Sequence, residues 1–257
     1  MLNLGRRTKK FGGLTCVNGR YIIFSVIKMI IKGFQKLTLL DFPGRTACTV
    51  FTGGCNFRCP FCHNALLVTH QDDDEFSEEE IFAHLRLRKN VLDGVAVTGG
   101  EPLLQKDIER FLYEIKEEGY AVKLDTNGSF PEKLQGILEL GLVDYVAMDI
   151  KNCPPKYGVT IGLENYDISP VKESIELLKN SGIDYEFRTT ITENFHTLED
   201  VESIAKWISH APHYYLQNFV DSGNLIDGSC RGVSRDMMRE MLSVAQKHIP
   251  HAQLRGI

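Results

Sequence analysis

Three things are scarce in this chain, and each scarcity removes a class of function. No apolar run is long enough to cross a bilayer. The longest candidate, residues 21–31, is short and is interrupted by Lys28. It follows basic residues as a signal peptide would, but no small-residue cleavage site comes after it. The expectation is a cytoplasmic protein with no membrane partner. Positive charge is scarce as well. The net charge is −5, and Arg6, Arg7, Lys9, Lys10, Arg20 and Lys28 crowd into residues 1–28 with no acid, leaving 23 basic against 34 acidic residues in the rest. Neutralising phosphates needs a clustered positive surface, so nucleic acid is not an expected partner. Cysteine, finally, is scarce outside one place. Of seven, Cys55, Cys59 and Cys62 fall within eight residues, while Cys16, Cys48, Cys153 and Cys230 lie far apart. An odd number so distributed is metal spacing rather than a secreted disulfide framework. No internal repeat and no low-complexity tract interrupts the chain.

What is present is a regular alternation. From residue 46 onward, short β-rich apolar runs alternate with helical patterns, as in βα units around a parallel sheet. Strands are expected at 46–52, 94–98, 121–125, 145–149, 185–190 and 214–217. Six strands fit an α/β fold built as a partial (β/α)6 barrel, with 257 residues enough for one sizeable core. Between the strands, Ser77 and Glu80 make a capping box before Ile81, Phe82 and Leu85. Leu104, Ile108, Phe111, Leu112 and Ile115 keep helical spacing up to Gly119. Pro131 and Pro170 open helices that Gly141 and Gly182 close. A last helix from Ser234 is expected to bury Met237, Met238, Met241 and Leu242. Residues 1–28 follow neither period, and Met29 stands where regular patterning begins. They read as an N-terminal extension, disordered or outside the native reading frame, before one domain at 29–257.

The chemistry concentrates in Cys55-Asn56-Phe57-Arg58-Cys59-Pro60-Phe61-Cys62. This C-x3-C-x2-C run places three soft thiolates in one loop, and soft thiolates select iron–sulfur clusters or zinc. Three ligands on a four-iron cube leave one iron open to another molecule. With His63, the same loop could also make a Cys3His zinc site. Cys48 is expected in the core. His196, His210, His213, His248 and His251 lack ligand spacing and read as surface or helix-end residues. Asp125-Thr126-Asn127-Gly128 is, on its own, an ordinary turn sequence.

C-x3-C-x-aromatic-C just after a first strand resembles the radical S-adenosylmethionine superfamily. Thr98-Gly99-Gly100-Glu101-Pro102, at the end of the second strand, resembles that superfamily's second motif, which binds the methionyl amino group. Asp41-Phe42-Pro43-Gly44, Cys62-His63-Asn64, Asp125-Thr126-Asn127-Gly128 and Met148-Asp149-Ile150-Lys151 are similar to glycyl-radical-enzyme activating enzymes, over roughly residues 29–220. Within that group, residues 33–44 and Leu216-Gln217-Asn218-Phe219 are most similar to the longer activators of anaerobic ribonucleoside-triphosphate reductase.

The resemblance implies an enzyme with one [4Fe–4S] cluster on Cys55, Cys59 and Cys62, since no further ferredoxin-type cysteine set is present. It implies that the open iron chelates S-adenosylmethionine and that a flavodoxin- or ferredoxin-like donor supplies the electron that cleaves it. The resulting 5′-deoxyadenosyl radical would take a hydrogen atom from a glycine of a partner glycyl-radical enzyme. The leading partner is anaerobic ribonucleoside-triphosphate reductase; pyruvate formate-lyase, or a small molecule or peptide, are the alternatives. Phe61, Cys62 and His63 would line the adenine with Asn64 beside them, and Gly99, Gly100, Glu101 and Pro102 the methionyl end. Asp125, Thr126, Asn127, Asp149, Ile150, Lys151, Arg188 and Gln217 complete the implied cofactor site. Lys151 and Arg188 stand at strand ends facing the same mouth, where Arg188 could pair with the methionyl carboxylate; as strand-end charges they could equally be ion-pair partners. Asp125, Thr126 and Asp149 match positions that in pyruvate formate-lyase activators hold a monovalent cation, with Ala147 in place of the family's methionine.

Overall fold

The computed structural model describes residues 28–69, 76–221, 223 and 225–256, and the backbone of three short strands nearer the start. Those three, β1 (Lys10–Phe11), β2 (Leu14–Val17) and β3 (Arg20–Ile23), pair antiparallel in a sheet of their own. The rest of residues 1–27, like 70–75, lies outside the described residues. Among the described residues no helix is long and apolar enough to cross a membrane.

All six expected strands are present: β5 (Ala47–Thr52), β6 (Gly94–Gly99), β7 (Ala121–Thr126), β8 (Tyr145–Asp149), β9 (Asp184–Ile191) and β10 (Tyr214–Asn218). They pair in parallel in chain order. Two strands extend the sheet beyond the expected six. β4 (Ile31–Thr38) runs antiparallel along β5, and β11 (Gln253–Arg255) lies parallel to β10, giving an open sheet ordered β11-β10-β9-β8-β7-β6-β5-β4.

Because side chains alternate across a strand, each strand has two different faces. Cys48, Val50, Val95, Val97, Val122, Leu124, Val146, Met148, Phe187 and Leu216 point one way into the main core. Helices cover that face: α1 (Ala65–Thr69), α2 (Glu78–Leu87), α3 (Ile108–Glu117), α4 (Pro131–Leu140), α5 (Tyr157–Thr160), α6 (Ser169–Lys179), α7 (Leu198–Trp207) and α8 (Arg235–Gln246). The other parity holds Thr49, Lys123, Asp125, Asp149, Glu186 and Arg188, so the concave side of the partial barrel is polar. At its lower end Phe42 closes a small apolar cluster with Ala47, Tyr145 and Ala147.

Local punctuation explains most helix ends. Ser77 and Glu80 form the capping box on α2, and Gly141, at φ +65°, caps α4 in the left-handed region. Two expectations need correction. Leu104 belongs to a separate 3₁₀ turn at Pro102–Leu104, so α3 starts only at Ile108. Met237 on α8 is 36% exposed, while Met238 and Met241 are buried, because the buried stripe recurs every three to four residues and skips position 237.

Candidate active site

At the C-terminal ends of the parallel strands, where βα loops converge, a cleft of about 430 Å³ is lined by Cys55, Cys59 and Cys62 together. The cysteine loop is braced by its own polar atoms. Arg58 donates to the carbonyls of Cys55 (2.6 Å) and Phe57 (2.8 Å), and the Phe57 N–H donates to Cys55 Sγ (3.4 Å). Asn127 donates to Asn56 Oδ1 (3.0 Å) and approaches Cys55 Sγ at 3.8 Å. All three thiols are free. Burial pushes Cys55 up to about 11 and Cys59 up to about 12, and raises Cys62 as well. Thiols so reluctant to ionise need a cationic centre to become ligands. Among the described residues no group of three His, Cys, Asp or Glu side chains could hold a single metal ion. A four-iron cube suits this donor set, because it meets each cysteine at a separate corner.

The second motif forms the adjoining wall. Gly99, at φ +117°, and Gly100 both line the cleft, and a Cβ on Gly99 would fall 2.3 Å from the Thr52 nitrogen and one on Gly100 1.8 Å from the Gly54 oxygen. These glycines therefore permit loop-on-loop packing, whatever ligand approach they also allow. The Gly100 N–H donates to Thr52 O and the Glu101 N–H to Gly54 O, each at 2.9 Å, and Asn64 donates to Gly99 O at 3.0 Å. Glu101 is fully buried behind this wall. Its carboxylate accepts from the Leu103 N–H (3.0 Å), the Thr126 hydroxyl (2.9 Å) and the Asn127 N–H (2.7 Å), yet burial still pushes it up to about 7. Pro102 and Ile150 are likewise buried and do not line the cleft.

The floor is ionic. Arg188 donates through Nε to Asp149 Oδ1 (2.9 Å) and through NH1 to Asp125 Oδ2 (3.1 Å). Lys151 donates to Asp149 Oδ2 (3.0 Å), and Thr98 donates to Asp125 Oδ2 (3.1 Å). Burial alone would raise both aspartates, but Arg188 first, then Lys123 at Asp125 and Lys151 at Asp149, hold them below the usual carboxylate range. Arg188 and Lys151 are driven up in return, since their aspartates outweigh the cost of burial.

Phe61, His63, Asn64, Thr126, Asn127 and Gln217 also line the cleft, and Phe219 packs on His63 with ring centroids 5.2 Å apart. Asp41, Phe57, Val68, Thr98 and Thr190 line it too without having been singled out as site residues; Asp41, Phe57 and Thr98 lie inside the motifs, which was the available signal. One histidine reading is overturned. His196 is buried, accepts the Thr192 N–H at Nδ1 (3.2 Å) and meets the Lys151 carbonyl through Nε2 (2.9 Å). It braces the backbone that carries Lys151. A larger groove, about 700 Å³, opens elsewhere beside Glu78 and Arg110 and holds none of the expected site residues.

The chain belongs to the radical SAM superfamily, whose family model matches residues 49–208. Within it, the chain is of the glycyl-radical-enzyme activating type. It is 32% identical over 241 residues to a protein of Methanocaldococcus jannaschii assigned as a glycyl-radical enzyme activating enzyme, covering 90% of this chain and 98% of that one. The pyruvate formate-lyase-activating enzyme of Listeria monocytogenes is 32% identical over 138 residues, covering 49% of this chain and 54% of that one. Among solved structures, Streptococcus suis SuiB bound to S-adenosylmethionine shares the fold, with a TM-score of 0.63 at 14% identity over 79% of this chain and 48% of that one.

Proposed function

We propose that this protein installs the glycyl radical of an anaerobic ribonucleoside-triphosphate reductase. What supports the reading is that residues 33–44 and 216–219, the segments most similar to activators of that reductase, reach the cleft through Asp41 and Gln217. Asp41 lines it and accepts from the Thr49 hydroxyl at 2.6 Å, while Phe42 fills the concave face below. At the other end, Gln217 lines the cleft, Asn218 exchanges hydrogen bonds with Val233, and Phe219 meets His63. Surfaces that select a partner's glycine loop must lie at such edges, because the cofactor machinery is common to all activators.

A bound cluster would supply the electron for reductive cleavage of S-adenosylmethionine, the chemistry that would let the protein take a hydrogen atom from a glycine Cα. Cys55, Cys59 and Cys62 would hold the cluster, beside which the methionyl amine and carboxylate would bind. Lys151 and Arg188, oriented by Asp149 and Asp125, bring positive charge to that carboxylate. Phe61 and His63 flank the adenine, and the apolar walls of Phe57 and Val68 exclude water and stray hydrogen donors. A flavodoxin- or ferredoxin-like protein supplies the electron.

The test mixes the reduced, cluster-loaded protein and S-adenosylmethionine with anaerobic ribonucleoside-triphosphate reductase or with pyruvate formate-lyase, and records the glycyl-radical resonance. A radical on the reductase is expected. A radical on the lyase alone overturns the partner, and a radical on neither moves the protein to a small-molecule or peptide substrate.

A further inference from the structure

The floor of the cleft carries more fixed positive charge than its carboxylates require. Lys123 lies on β7 two residues before Asp125, so both side chains project to the concave face. It is the one buried lysine among the described residues, at 2% exposure, and its ammonium pairs with Asp125 Oδ1. Asp125 Oδ2 accepts from Thr98 and Arg188, Asp149 Oδ1 from Arg188, and Asp149 Oδ2 from Lys151. Every oxygen of the two aspartates is thus engaged, and three cations face these two anions; of the other carboxylates on this side, Glu186 is held by Arg255 and Asp41 accepts from Thr49. Thr126, the third position that matches a monovalent-cation site, turns its hydroxyl away to Glu101 (2.9 Å) and accepts the Gly128 N–H (3.1 Å). These residues do not fit a sodium or potassium ion. Such an ion would have to displace a fixed ammonium or guanidinium, or add a fourth positive charge beside two carboxylates in a poorly screened site.

We infer that Lys123 is a built-in cation that takes the place of a monovalent metal, so that S-adenosylmethionine binds here without sodium or potassium. The inference rests on the cofactor-site reading above. Lys123 is a positioning residue: it neutralises the Asp125 oxygen that Arg188 leaves, and Asp125 and Asp149 together hold Arg188. The surplus charge then belongs to Arg188 and Lys151, on the side where the methionyl carboxylate would arrive. Removing the ammonium leaves two cations on two carboxylates, with one oxygen of Asp125 open to a small cation.

The experiment measures S-adenosylmethionine affinity of the cluster-loaded protein in choline, sodium and potassium chloride at equal ionic strength, for the wild type, Lys123→Met and Lys123→Arg. The melting temperature of each protein before cluster loading is recorded in the same salts. Wild-type affinity should be equal in all three within about twofold. Lys123→Met should bind about tenfold more weakly in choline and recover in sodium or potassium, with a melting temperature that rises in those salts alone. Lys123→Arg, which keeps the charge, should remain indifferent to the salt. If Lys123→Met does not fold, the wild-type comparison decides by itself. Wild-type affinity that demands sodium or potassium overturns the inference, as does a folded Lys123→Met that binds fully in choline. No binding in any salt overturns the cofactor reading and this inference with it.

Discussion

At the scale of single residues, the cleft is a set of groups held in charge states they would not adopt in water. Replacing Cys55, Cys59 or Cys62 by Ala removes one corner ligand of the cube, and each variant is expected to lose most of its iron and all cleavage of S-adenosylmethionine; iron analysis and product chromatography check this, and cleavage surviving in the triple variant would falsify the central assignment. Glu101 gives a prediction of opposite character. Its folded carboxyl, pushed up to about 7, sits above its ordinary value. The stability tied to this group is therefore fully present below about pH 4.5 and is lost as the pH rises through about 7, by on the order of 3 kcal/mol. Glu101→Gln cannot ionise, but it turns an amide N–H₂ toward at least one of the donors (the Leu103 N–H, the Thr126 hydroxyl and the Asn127 N–H) that the carboxylate now satisfies, at about 1–3 kcal/mol. Urea midpoints should therefore show a deficit for the variant at pH 5 that closes or reverses by pH 8. A constant gap would reject the account. Asp125 and Asp149, held low, lose their contribution only as the pH falls through the acid range below their ordinary values, outside this window.

At the scale of elements, the contact between the cysteine loop and the second motif is the joint on which the cofactor wall depends. Gly100→Ala would drive a Cβ into the Gly54 carbonyl, and since backbone cannot swing aside as a side chain can, a loss of about 3 kcal/mol or more is expected. Gly136→Ala is the matched control. It lies in α4 with its nearest neighbour atom 3.5 Å away, and should be neutral or stabilising by about 0.5–1 kcal/mol. Melting temperature and iron content of the two variants separate a tight joint from a general intolerance of alanine. The same scale shows why some elements were legible and others not. β5 to β10 and α2 carry short β-rich apolar runs or a Ser-x-x-Glu box in contiguous residues. α7 is capped by Thr197 and Asp200, whose shorter acid departs from the usual Glu or Gln signature. β4 and β11 lie at the sheet's two edges, where half-exposed strands show no clean alternation.

At the scale of the whole molecule, the described chain is tied to the domain from Lys28 onward: Lys28 pairs with Glu79, the Met29 N–H donates to Glu78 at 3.0 Å, and the Ile30 N–H donates to Gln105 at 3.1 Å. A chain beginning at Met29 is expected to fold, bind the cluster and melt within a few degrees of the full-length protein, because its new terminal amine still faces the Glu78 carboxylate. Insoluble protein, or loss of iron, would assign residues 1–28 a packed role.

The sequence by itself determined the parts whose information is contiguous. Three cysteines in eight residues mark a candidate ligand set, and short β-rich apolar runs mark the strands, because both depend only on near neighbours along the chain. The tertiary structure decided the rest. Arg188 reaches Asp125 across 63 positions and Asp149 across 39, and His196 reaches the Lys151 carbonyl across 45. No spacing encodes those pairings. They exist because parallel strands in register set residues distant in sequence side by side, and because a charge largely withdrawn from water needs another side chain as its partner.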